Sequence, residues 1–200
     1  MSSNTDVLEA PVQEQILDNQ PIESGLTNWN LDGAHSSANF SVKHMMIANV
    51  RGEFREISGI LKFDRQNIEK SSLNVAIKTA SIQTNDPRRD EHLKSPEFFE
   101  IEKYPEITFE STNWAQKSDD EIDVTGKLTI HGVSKEVILK VEGPTAEVKD
   151  PWGGTRIGFS AHTKLIRKDF GLGWNVALEA GGFVVGDHVT ITLETQFVKA

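Results

Sequence analysis

The chain has 200 residues, 21 Lys and Arg against 30 Asp and Glu, a net charge of −9 and no cysteine. That length suits one domain able to bury a core without staples. The acidic surplus repels phosphate backbones and anionic membrane surfaces, which argues against nucleic-acid partners, and the missing cysteines exclude disulfides, thiolate nucleophiles and cysteine-rich zinc sites.

Residues 1–27 read as a flexible polar tail, and residues 28–200 as the folded domain. The tail carries Ser, Asn, Gln, Pro and acids with few aliphatics, a composition that cannot offset the entropy of ordering. A short helix over Val12–Asp18 is the one local structure its pattern allows. The first Lys or Arg is Lys43, after Asp6, Glu9, Glu14, Asp18 and Glu23. A secretory signal needs a basic start and an apolar stretch, so the expected location is cytoplasmic. No run approaches the ~20 apolar residues that span a bilayer.

From Trp29 onward the apolar residues recur with period two, the signature of strands. Ala38, Phe40 and Val42 alternate with polar neighbours, followed by Val50, Gly52 and Phe54. Ile57, Gly59, Leu61 and Phe63 continue with opposite parity, which predicts a bulge or bend between Phe54 and Ile57. Leu73, Val75 and Ile77 form the next set. In the helical segment that follows, Asp86-Pro87 supplies an N-cap and a first-turn proline. Ser95-Pro96 repeats that signal, so two short helices are expected, ending before Tyr104-Pro105.

Strands resume with Ile107, Phe109 and Ser111. Ile122, Val124, Gly126, Leu128 and Ile130 give the cleanest alternation, against Asp123, Thr125, Lys127, Thr129 and His131. A turn at His131–Gly132 leads to Val137, Leu139 and Val141. Ile157, Phe159, Ala161 and Leu165, then Val189, Ile191, Leu193 and Phe197, complete roughly eight strands. A strand of ten residues reaches ~33 Å. Two packed sheets or one closed barrel satisfy the pattern, and closure would also remove the exposed edges. Pro144–Thr155 and Arg167–Gly186 are the long loops, the second glycine-rich enough to serve as a mobile mouth.

Little in the sequence points to catalysis or metal binding. The six histidines show no ligand spacing, and strand parity sets His131, His162 and His188 on outer faces. No G-x-S-x-G elbow and no phosphate-cradling loop occur. Arg89 and His92, in the helical segment, are placed to meet an anionic head group at a barrel mouth, or else to form a solvated helix face. The string Arg167–Gly171 offers the same choice.

Several motifs together resemble the YceI-like family. They are Trp29-x-Leu31-Asp32-x-x-His35-Ser36, Phe40-x-Val42-x-His44, and Arg51-Gly52-x-Phe54. Gly59-x-Leu61-x-Phe63-Asp64, Ser81-Ile82-x-Thr84-Asn85 and Arg89-Asp90-x-His92-Leu93-Lys94-Ser95 follow. Tyr104-Pro105-x-Ile107-Thr108-Phe109, Gly126-x-Leu128-Thr129-Ile130-His131-Gly132, Arg167-x-Asp169-Phe170-Gly171 and Gly186-Asp187-x-Val189 complete the set. The resemblance spans residues 28–198 and leaves out the N-terminal stretch. It implies an all-β fold: an extended, eight-stranded, antiparallel, lipocalin-like barrel with a short helical insert and a long internal tunnel. It also implies a bound polyisoprenoid or related lipid, with no other cofactor and no metal.

On this reading the chain binds an apolar lipid (polyisoprenoid, quinone or fatty-acid derivative) without catalysis. The residues expected to line the site are Phe40, Val42, Val75, Ile77, Phe109, Leu128, Ile130, Leu139, Phe159 and Ile191, with Arg89 and His92 toward a head group. The alternatives are a stress-related interaction protein with a filled barrel and a lipid-acting hydrolase. A homodimer is compatible with either binding role.

Overall fold

The structure, a computed structural model, describes residues 25–179 and 181–200. The predicted tail, apart from its last three residues, and the predicted Val12–Asp18 helix lie outside the described residues.

Twelve strands form one sheet. In chain order they are β1 (Thr27–Leu31), β2 (Ser37–His44), β3 (Ala48–Phe54), β4 (Ile57–Phe63), β5 (Ser72–Lys78) and β6 (Ile82–Gln83). After helix α1 (Pro87–Lys94) come β7 (Glu106–Gln116), β8 (Glu121–Ile130), β9 (Val133–Glu142), β10 (Val148–Lys149), β11 (Thr155–Ile166) and β12 (Val185–Lys199). The ring β11-β9-β8-β7-β5-β4-β1-β12 closes because β12 also pairs with β11 along that strand's length, from Arg156↔Val198 to Ile166↔His188. All pairings are antiparallel, so this is a closed eight-stranded barrel.

The short strands are halves of longer, bent ones. β1 pairs with the C-terminal end of β12, and β2 with its N-terminal half. Between them a 3-10 turn, Gly33–His35, is capped by Asp32, which accepts from the Ala34 amide at 3.1 Å. β3 and β4 break at Arg55–Glu56, where the parity slip predicts a bend. Both free amides there donate to Ser81 Oγ, at 3.2 and 3.1 Å, which satisfies the backbone that the bend takes out of the ladder.

α1 starts as its sequence predicts: Asp86 accepts from the Arg88 and Arg89 amides, and Pro87 occupies the first turn. The second predicted helix does not form. The Phe99 and Ile101 amides bond back to the carbonyls of Leu93 and Lys94, and Glu100 takes a left-handed φ of 46°. The chain therefore turns on the end of α1 instead of starting a new helix.

His131 departs from the parity rule as well. The ladder ends at Ile130↔Val133, and His131 and Gly132 make a two-residue turn with φ of 51° and 72°. The alternation no longer holds there, and the His131 ring packs 4.5 Å from Tyr104 with its Nε2 buried. His162 and His188 are exposed, as their strand parity predicts.

Candidate ligand-binding site

The inward faces enclose a cavity of about 230 Å³. All ten apolar residues picked out by strand parity, Phe40, Val42, Val75, Ile77, Phe109, Leu128, Ile130, Leu139, Phe159 and Ile191, stand on its wall. Along β12 the wall runs from Val185 to Phe197, about 40 Å of strand at ~3.3 Å per residue. Among the described residues, Asn39, Thr163, Arg167 and Thr195 are the only polar or charged ones on it apart from the Trp114 indole. The volume falls just below the roughly 300–1,000 Å³ of drug-sized pockets. Such a lumen suits one thin chain better than a bulky ring system.

Two glycines keep that lumen open. A β-carbon on Gly126 would overlap the Phe109 ring, and one on Gly52 would overlap the Phe40 ring. In each case the tip of the ring occupies the space a side chain would take. With a larger residue in either place the ring would have to swing into the interior.

The two ends of the barrel differ. At one end aromatic rings fill the space: Phe63 sits 6.3 Å from Trp114 and 5.7 Å from Phe159, which is 5.9 Å from Phe197. Trp29 lies in the same cluster and is 1% exposed. The indole N–H groups of Trp29 and Trp114 donate to Thr27 and Ser111 hydroxyls, so neither is buried unpaired. At the other end the cover consists of α1, the turns after it, a 3-10 turn at Arg167–Phe170 and the loop that follows. Leu93, Phe99 and Leu172 reach the wall from these segments, which strand parity could not reveal.

Arg89 and His92 are not on the wall. Arg89 donates from Nε and Nη2 to the hydroxyl and carbonyl of Thr84, each at 2.7 Å, and so ties α1 to the segment before it. His92 is held by Glu97 at 2.5 Å and packs edge-on to Phe98 and Trp174. Arg89 is engaged within the insert and His92 between the insert and Trp174 of the loop before β12, and Leu93 is the residue of α1 that faces the lumen.

The one charged residue on the wall is Arg167, 5% exposed. It donates to the carbonyls of Leu172, Trp174, Val185 and Gly186, joining the loop after the 3-10 turn to the start of β12. Burial pulls its pKa below the ordinary value, opposed by Asp187 at 3.7 Å. The signal for it lay in the parity of β11: Arg167 is two residues beyond the inward Leu165. Among the described residues no Asp, Glu or His stands on the wall. Among the described residues no three His, Asp or Glu side chains converge as metal ligands would.

A closed antiparallel barrel around an apolar cavity, with a helical cap at one end, defines a lipocalin-like protein. The chain belongs to the YceI-like family, whose model matches residues 29–197. A UPF0312 protein of Vibrio parahaemolyticus is 42% identical over 152 residues, covering 75% of this chain and 80% of that relative. The crystal structure of Burkholderia cenocepacia BcnA matches with a TM-score of 0.72 at 25% identity, over 83% of this chain and 98% of that one. A polyisoprenoid-binding domain from Saccharophagus degradans shares the fold, with a TM-score of 0.63 at 18% identity over 88% of this chain and all of that domain. Among the described residues no helix is long and apolar enough to cross a membrane.

Proposed function

We propose that the protein binds one long-chain apolar lipid inside the barrel and sequesters or carries it without chemical change. The observation that carries this reading is the continuous apolar wall around a narrow cavity. An empty apolar cavity forfeits dispersion contacts along its lining. A lipid tail restores them, at ~0.8 kcal/mol for each methylene taken from water. Ten methylenes give roughly 8 kcal/mol before the costs of immobilisation, enough for tight binding without an ion pair. Among the described residues the wall holds no acid or histidine to act as a general base, which favours binding over hydrolysis. The likeness to a domain described as polyisoprenoid-binding agrees with a chain-like ligand. A polyisoprenoid, a quinone tail and a fatty-acid derivative all meet these physical requirements.

The test is organic extraction of the protein purified from cells, followed by mass spectrometry. One chain-like lipid near equimolar amount is expected, and Val75→Trp should remove it. A protein that carries no lipid and takes up none from detergent solution would sink the proposal.

A further inference from the structure

A lipid long enough to fill this barrel is nearly insoluble in water, so a carrier has to collect it where it dissolves. We propose that the barrel end bearing the β2–β3 hairpin and the loop before β12 docks on a lipid bilayer surface. This inference rests on the internal-lipid reading.

The β2–β3 turn is Met45-Met46-Ile47, with Met46 60% and Ile47 80% exposed. Met45 and Met46 both take left-handed φ, 48° and 61°. Glycine or asparagine holds that conformation at little cost, whereas methionine does not. Two exposed apolar side chains therefore stand where both backbone strain and contact with water oppose them. Beside them is the loop before β12, which presents exposed Val176 and Phe183. The two segments are joined: the Met45 amide donates to the Val184 carbonyl at 2.8 Å, and Asn175 holds both the N–H and the carbonyl of Val185.

This surface adjoins the lipid cavity. Val185 lines the inner cavity and also the outer groove that Met46 and Phe183 share. Other exposed apolar residues, such as Ile60, Ile138 and Trp152, line neither the cavity nor the groove. Five side chains on two tips fall well short of the 20–30 residues per side of a stable protein interface, but they suit shallow insertion among lipid head groups. Lys43 borders the groove, and Lys168 lies 5.5 Å from the Phe183 ring. Of the nearby acids, Asp187 is paired with Lys168 at 2.9 Å, while Glu179 is exposed. With a net charge of −9, apolar insertion into zwitterionic lipid is favoured over attraction to an anionic surface.

The experiment uses the full chain, phosphatidylcholine vesicles and a tritium-labelled long-chain fatty alcohol. The wild type should float with the vesicles and withdraw the probe from them. Met46→Ser, Ile47→Ser and Phe183→Ser combined should abolish flotation and slow withdrawal at least tenfold. The amount of probe bound from dilute ethanol should not change. The control pair Ile60→Ser and Ile138→Ser should leave both unchanged. Equal flotation of wild type and tip variant would overturn the proposal, as would loss of flotation on Trp152→Ser alone. A wild-type dimer that the tip substitutions dissociate would do the same. If the wild type binds no probe even from ethanol, the internal-lipid reading fails, and flotation alone then judges the docking surface.

Discussion

The two ends of the barrel are built from the same alternating strands but solve different problems. At the aromatic end Trp29, Phe63, Trp114, Phe159 and Phe197 pack ring against ring. At the capped end Leu93, Phe99 and Leu172 come from a helix, a turn and a loop and line the cavity. The first end closes with strand side chains, whose positions the ladders fix. The second closes with segments outside the barrel ladders, held largely by local bonds. A barrel with two ends of the first kind could exclude water but would have no way in. The contrast points to stability concentrated at one end and ligand traffic at the other.

The largest effect should follow from breaking the aromatic end. Phe63→Ala removes a ring that touches two others, and a loss of about 3–5 kcal/mol is expected. Phe99→Ala, where the ring already borders a cavity, should cost about half as much. Urea unfolding of the two variants measures the difference, and equal losses would break the comparison.

Changes to the lumen come next. Leu128→Asp puts a charge on the cavity wall and should prevent folding or ligand uptake. Thr129→Asp, one residue along on the outward face, should change stability by no more than about 0.5 kcal/mol. Circular dichroism and ligand content separate them, and the reverse ranking would mean that the register of β8 is wrong. Gly126→Val forces Phe109 off the backbone and into the lumen. A cost of about 1–3 kcal/mol from overpacking is expected, together with loss of lipid seen by mass spectrometry.

The smallest effect concerns acid. Arg156, then His35, hold the Asp32 carboxyl from its ordinary 3.8 down to about 2. A carboxyl depressed in the folded state adds stability above its unfolded value, and that stability is lost as pH falls from about 4 toward 2. Asp32→Asn should therefore lower the melting temperature at pH 6 and have progressively less effect toward pH 2. A difference that stays constant with pH would remove Asp32 from the account.

The legible and illegible parts of the molecule divide along the same line as its two ends. Period-two alternation identified most inward residues of the long strands, because burial on one face of a pleated strand dictates residue type, but it missed Trp114, which lies beyond a bulge between Ser111 and Asn113 in β7. The Phe54–Ile57 slip also located a real bend. The second helix and the outward His131 were misread because local signals there compete with turns. Backbone amides return to the end of α1 in one case, and a left-handed φ ends the alternation in the other.

Sequence by itself determined the strands, their inward faces and the start of α1, since each depends on neighbours two to four residues away. Only the tertiary structure decided what those faces enclose. The closing pair of β11 with β12 is a long-range choice. So is the lumen left open where Phe40 and Phe109 lie over Gly52 and Gly126. The charge on the wall was decided in the same way: Arg89 and Arg167 are equally basic in sequence, but Thr84 draws Arg89 into the insert. Two carbonyls of the loop that follows it, Leu172 and Trp174, and two at the start of β12, Val185 and Gly186, hold Arg167 at the cavity. Such partners depend on how the connecting segments fold back on themselves and on β12, which the period of the strands does not encode.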